Sequence, residues 1–436
     1  MSDRSVLIRG GRVIDPASGR DGVLDILVDR GKVLKIGTSL EIGKAALFDA
    51  SGTWVLPGLI DLHVHLREPG FEYKETILTG TRAAVAGGFT AVACMPNTDP
   101  VNDNPSVTRT ILKKAGAARL ARVYPVGCIT EGQGGKRLAE IGSLVEAGCR
   151  AVSDDGRPVT ESAVMRRALE YSRLFDIPVI AHCEDLSLAG AGVMHEGEIS
   201  TRLGLPPIPA AAEEVMAARD IVLCRATGAR LHLAHVSTAG TVDLIRRAKE
   251  DGLKVTAEVS PHHLTLTDEA VLGFDTSTKV NPPLRSAADV AALRAGLRDG
   301  VIDVIATDHA PHSSVEKDVE YRAAAFGLVG LETALSLVLG LVEAGELSLG
   351  RMVDALTASP AKILGVPGGR LEEGGPADLT IVDPEAVYTV DPAAFFSKGR
   401  NTPFAGRELR GRAVATMVDG RFVFRDGEPA GRTGGE

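Results

Sequence analysis

Four histidines and two aspartates stand at positions from which strand ends can assemble a metal centre. His63 and His65 lie two apart in LIDLHVHLREPG. That spacing puts both rings on one face of a strand, where they can share one ion. Asp155 follows in AVSDDG, His182 in PVIAHCED, His235 in LHLAHVS and Asp308 in VIDVIATDHAPH, each closing an apolar run. Imidazole and carboxylate together form a hard-to-borderline donor set suited to Zn²⁺ or a similar divalent ion. An ion so held polarises a carbonyl and activates water, and a nearby carboxylate moves the proton.

Taken singly, the same residue types have plainer readings. A lone histidine on an apolar strand is usually a satisfied core residue. His232 is read that way: three residues from His235, it falls on the opposite strand face and receives no ligand role. His195 sits in a Gly-flanked loop and is expected to be solvated, while His262 and His263 are left outside the site. Asp154 and Asp155 precede a glycine, as turn residues do, and Asp308 fits a cap on the segment that follows. Chance does not account for six such positions in one register.

The elements that must position these residues show in the hydrophobic pattern. Eight apolar runs, at 58–64, 89–95, 122–128, 150–153, 178–182, 230–236, 254–259 and 301–307, alternate with helical or loop stretches. Val164, Ala168, Tyr171 and Phe175 illustrate the helical period. Near-continuous apolar strands alternating with helices predict an α/β fold, a parallel (β/α)₈ barrel with both strand faces buried and its chemistry at the C-terminal mouth. A doubly wound open sheet fits the same alternation, but the turn after the first run is not G-x-G-x-x-G. Outside the barrel, short strands are expected at Val6–Ile8, Val13–Ile14, Asp25–Val28 and Val33–Ile36, and again at 378–382, 413–418 and 422–424.

Composition narrows the class. A compact chain of 436 residues buries about three quarters of its unfolded surface and needs no staple. Five cysteines without a CxxC pair argue against a disulfide framework or a thiolate zinc site and fit a reducing compartment. A net charge of −9 argues against a nucleic-acid partner. MSDRSVLIRGGRVID has no signal-peptide core, and no apolar run reaches membrane-spanning length. A cytoplasmic protein with no membrane partner is the expectation.

GLIDLHVHLREPG, MPNT, SDDG, AHCED, LAHVS, VNPPLR and ATDHAPH, in that order, resemble the type I dihydroorotases, bacterial class, of the amidohydrolase superfamily. The likeness runs nearly end to end, through VLIRGGRVIDP and GGPADLTIVDP. It implies a barrel over 58–364 and a small β-sandwich built jointly from 1–57 and 365–436. It implies two Zn²⁺ ions, one on His63, His65 and Asp308, the other on His182 and His235. Much of the superfamily bridges its ions with a carbamylated lysine; here Asp155 takes that place, with Asp154 as the rival. Arg67, Asn97 and His312, beside His65, would bind the substrate carboxylate, the planar fork of Arg67 doing so bidentately. An ion pair with Glu68 or Glu72 is the plainer reading of Arg67. Asn281 and the backbone of Phe326 and Gly327 would contact the dihydropyrimidine ring, under a loop at 310–327 that closes over it. The implied reaction is the reversible cyclisation of N-carbamoyl-L-aspartate to dihydroorotate, with Asp308 as proton carrier, in the third step of pyrimidine synthesis. A homodimer, and aspartate transcarbamoylase as a further partner, belong to the same implication. The alternatives are a hydantoinase or allantoinase, and a non-catalytic dihydroorotase-like subunit of aspartate transcarbamoylase.

Overall fold

The computed structural model describes residues 5–430; residues 1–4 and 431–436, which the expected terminal segments include, lie outside it. Eight parallel strands form the barrel: β1 (Leu59–Val64), β2 (Phe89–Cys94), β3 (Arg122–Gly127), β4 (Ala151–Ser153), β5 (Val179–Ala181), β6 (Leu231–Leu233), β7 (Val255–Val259) and β8 (Val304–Ile305). They are hydrogen-bonded in sequence order. The ring closes where Val64 bridges to His309 and the His65 N–H donates to the His309 carbonyl at 2.9 Å. Every residue of β1 and β2 is buried, which is why these strands read as unbroken apolar runs.

The alternation inside each strand separates two cores. Ile60, Leu62, Ala91, Ala93, Val126, Ile180, Ala234 and Val304 meet in the barrel interior. Leu59, Phe89, Val123, Val179, Leu231, Leu233, Val255, Ala257 and Val259 face the surrounding helices. The residues of β7 between these outward ones, Thr256 and Glu258, therefore point inward. The pairing of β1 with β2 slips between Asp61 and Val64, a bulge-like irregularity of the kind that re-aims side chains at a barrel rim. The predicted stripe lies on the helix Ser162–Ser172 and the turn behind it, where Val164 and Ala168 are buried and Tyr171 meets Phe175 edge to face.

The terminal segments form one continuous nine-stranded mixed sheet. Trp54–Pro57 joins its halves, running parallel to Val6–Asp15 and antiparallel to Leu379–Thr389. Ile8, Ile26, Val28 and Val33 share a core with Leu379, Ile381, Ala415 and Met417, so the sheet encloses apolar side chains from both ends of the chain. The two strands expected at Val6–Ile8 and Val13–Ile14 are a single one, Val6–Asp15, with a register shift between Ile8 and Gly11. Gly10, at φ 75°, makes the bulge, and its N–H donates to Asp25 Oδ1 at 3.1 Å.

Candidate metal centre

The six expected ligands converge on one point at the mouth of the barrel, all of them buried. His63, His65 and Asp155 offer donor atoms within 4.8 Å of one another, and so do Asp155, His182 and His235. Asp155 belongs to both groups. Its Oδ1 lies 3.4 Å from His63 Nε2 and 3.5 Å from His235 Nε2, and its Oδ2 lies 3.5 Å from His65 Nε2. Asp308 Oδ1 sits 3.1 Å from His65 Nε2 and 3.6 Å from His63 Nε2. His182 Nδ1 faces His235 Nε2 at 2.9 Å. Asp154 turns away and accepts the N–H groups of Ile129 and Thr130.

Two residues reach the site through left-handed backbone at strand ends: His235 at φ 33° and Asp308 at φ 49°. Such strain persists where the surroundings enforce it. It also corrects the expectation for His232. Counting alternation from His232 to His235 puts them on opposite faces, but the left-handed turn at His235 brings its ring back inside. His232 itself points into the barrel, with Nε2 3.1 Å from Glu258 Oε2 and Nδ1 2.9 Å from Thr256 Oγ1. It is a satisfied core histidine, as expected, on the same side as the site. His195, expected in solvent, is half-buried in a short two-stranded ribbon, with its Nδ1 3.3 Å from Arg285 Nη1.

The electrostatics follow from packing charge into a dry mouth. Burial works against the Asp155 carboxylate, yet the imidazoles of His63, His235 and His65 hold it well below the usual range. Burial disfavours protonated His63, but Asp155 and Glu258 outweigh it and raise its pKa well above the ordinary value. Asp308 is buried as well, and His65 and His63 keep it ionised. His63 Nε2, Asp155 Oδ1, His182 Nε2 and His235 Nδ1 are buried with no hydrogen-bond partner. Buried polar atoms normally find partners. His63 Nε2 and Asp155 Oδ1, both unpartnered and facing each other at 3.4 Å, with His235 Nε2 and His182 Nδ1 turned to the same oxygen at 3.5 and 3.7 Å, fit donors to divalent metal ions.

Around this centre lie the residues assigned to substrate. The guanidinium of Arg67, a residue 9% exposed and at φ 60°, donates from Nε to the Pro311 carbonyl at 3.2 Å and lies 3.3 Å from His312 Nε2 through Nη2. The ion pair with Glu68 or Glu72 does not form. Glu68 pairs with Lys114 and accepts the Ile77 N–H, and Glu72 accepts the Gly70 N–H. Burial and the neighbouring Arg67 push His312 down to about 3, so its ring is neutral. Asn97 Oδ1 lies 2.8 Å from His65 Nδ1, which orients that ring and leaves the Asn97 amide nitrogen for a ligand. Asn281 donates to Glu184, whose Oε2 is 3.5 Å from His182 Nε2. The Gly327 N–H is spent on the Lys279 carbonyl at 2.8 Å, and Phe326 lies under the Lys279 ammonium at 4.5 Å. The segment 310–327 is packed down: Lys317 Nζ donates to the Ala325 carbonyl at 2.7 Å, and Asn401 spans the carbonyls of Ala310 and Gly327.

Residues 54–423 match the model of the amidohydrolase family. The chain belongs to that family. Within it, the dihydroorotase of Anaeromyxobacter dehalogenans (strain 2CP-C) is 59% identical over 431 residues, covering 98% of this chain and 99% of the relative. The dihydroorotase of Pelotomaculum thermopropionicum is 59% identical over 422 residues, covering 97% and 99%. Among solved structures, L-hydantoinase from Arthrobacter aurescens superposes with a TM-score of 0.88 at 27% identity, covering 98% of this chain and 97% of the other. This amidohydrolase is therefore a cyclic-amide hydrolase of the dihydroorotase branch. No helix among the described residues is long and apolar enough to cross a membrane.

Glu258 and Glu184 were not anticipated as parts of the site. The only sequence signal for Glu258 was an acidic residue inside the apolar run LKVTAEVS, a charge that needs a partner when buried.

Proposed function

We propose that the chain catalyses the reversible ring closure of N-carbamoyl-L-aspartate to (S)-dihydroorotate and water. The observation that carries this reading is the sharing of Asp155 by two histidine groups beside a buried Arg67 without a carboxylate partner. His63, His65 and Asp308 would hold one ion, His182 and His235 the other, with Asp155 between them. When bound, a pair of Zn²⁺ ions supplies Lewis-acid polarisation of the ring carbonyl and lowers the pKa of water. Asp308 takes the proton of the attacking water and passes it to the leaving ring nitrogen; in ring closure it runs the other way. Arg67 binds the substrate carboxylate bidentately, with the neutral His312 and the Asn97 amide beside it. Asn281 and the Phe326–Gly327 segment face the ring.

The same reading assigns 58–364 to the catalytic barrel and 1–57 with 365–436 to the flanking β unit. It takes the protein as a cytoplasmic homodimer with aspartate transcarbamoylase as a further partner. The likeness to L-hydantoinase favours one second reading, opening of a related ring without a carboxylate. Initial rates of ring opening for dihydroorotate, hydantoin and allantoin, with metal measured on the same sample, decide between them. Preference for dihydroorotate with about two ions per chain is expected. Preference for hydantoin or allantoin would replace the first reading with the second.

A further inference from the structure

We propose that Glu258 is the positioning residue of the metal centre: its one carboxylate fixes the ring of His63 and the backbone of His235, tying the two metal-binding groups together from inside the barrel. The proposal rests on the reading that those groups hold metal ions.

Glu258 is wholly buried and points into the barrel from β7. β8 separates β7 from β1 in the ring, so only a side chain crossing the interior can link Glu258 to His63. No lysine or arginine pairs with it among the described residues. Its partners are His63 Nδ1 at 2.6 Å, the His235 N–H at 3.2 Å and His232 Nε2 at 3.1 Å. An ionised carboxylate can only accept. His63 must therefore donate from Nδ1, so that Nε2, 3.4 Å from Asp155 Oδ1, is the nitrogen that a neutral ring would offer to a metal ion. His232 must likewise donate from Nε2, and its Nδ1 lies 2.9 Å from Thr256 Oγ1. The contacts run along one line from Thr256 through His232 to Glu258, with His63 arriving from the other side. The third contact holds the N–H of His235, whose φ of 33° aims that ring at the second group. One residue thus sets the tautomer of a ligand in the first group and the backbone of a ligand in the second. Its side chain touches no position assigned to substrate.

The test uses the full chain, stripped with chelator and reloaded with Zn²⁺. Glutamine at 258 keeps the shape but offers one acceptor oxygen where two are needed. Glu258→Gln is expected to keep its circular dichroism while holding Zn²⁺ about 10–100-fold more weakly in chelator competition. A residue that merely stabilised the fold would shift the melting temperature and leave the Zn²⁺ affinity of the folded protein unchanged; that result overturns the proposal. Should the variant not fold, the zinc-loaded parent labelled with ¹⁵N-histidine answers instead. His63 is expected to carry its proton on Nδ1, and a proton on Nε2 overturns the assignment. A parent that takes up no Zn²⁺ overturns the metal reading first, and this proposal with it.

Discussion

Asp154 turns its carboxylate back to the loop after β3, accepting the N–H of Ile129 at 2.8 Å and of Thr130 at 3.1 Å. The next residue, Asp155, places Oδ1 3.4 Å from His63, 3.5 Å from His235 and 3.7 Å from His182. One aspartate closes a turn and the other faces the candidate metal ligands. Asp155→Ala is accordingly expected to lose bound metal and nearly all turnover. Asp154→Ala leaves two buried N–H groups unsatisfied, at about 1–3 kcal/mol for each such group, so its melting temperature falls while its metal content stays. Metal analysis and thermal melts of both proteins check this. Full metal and activity in Asp155→Ala would remove the bridge.

Arg67 gives the second prediction. Truncating one partner of a buried charge pair costs about 2–5 kcal/mol. Arg67→Met should therefore lower kcat/KM for dihydroorotate by about two to three orders of magnitude, with metal content unchanged. Hydantoin, which has no carboxylate, should be nearly indifferent. Dihydroorotate turnover within a few-fold of the parent would place the carboxylate clamp elsewhere.

The barrel was legible because parallel strands buried on both faces leave continuous apolar runs, and all eight runs carry a strand. The six candidate ligands were legible because strand ends at one mouth share a register. What stayed hidden depends on backbone twist and through-space pairing. Alternation counted past the end of β6 misplaced His232 relative to His235, since a left-handed residue at φ 33° resets the count. The bulge at Gly10 joined two expected strands into one. Glu258 takes its meaning from His63 and His232, on β1 and β6, and no spacing along β7 announces them. Arg67 was weighed against Glu68 and Glu72, whose actual partners are Lys114 and the N–H groups of Ile77 and Gly70.

Asp220 supplies a pH dependence away from the metal centre. It is 1% exposed on the helix Ala210–Thr227, and burial pushes its carboxyl up to about 6 despite the neighbouring Arg219. The folded protein thus binds this proton more tightly than the unfolded chain, where the ordinary value is 3.8. Its stabilising contribution is complete below that value and is lost as pH rises to about 6, on the order of 3 kcal/mol in all. Asp220→Asn cannot titrate. Denaturant unfolding at pH 4 and pH 7 should show the parent losing more stability than the variant over that interval, by on the order of 3 kcal/mol. Equal losses would mean that folding does not raise the Asp220 pKa.

Asp308 is assigned both a metal bond and the proton transfer, and one substitution separates them. Asparagine keeps the shape and one ligand oxygen but cannot accept a proton. Asp308→Asn should retain most of its metal while hydrolysis slows by about 10²–10⁴, the range typical of losing a general acid–base group. Ring closure should slow by the same factor, because both directions pass through the same transition state. If Asp308 serves only as a ligand or as a cap on the following segment, activity should fall in proportion to lost metal or lost stability. Rates in both directions, metal content and a melting curve on one preparation distinguish these cases. A fully metal-loaded Asp308→Asn protein with near-normal turnover in both directions would assign the proton transfer to another group.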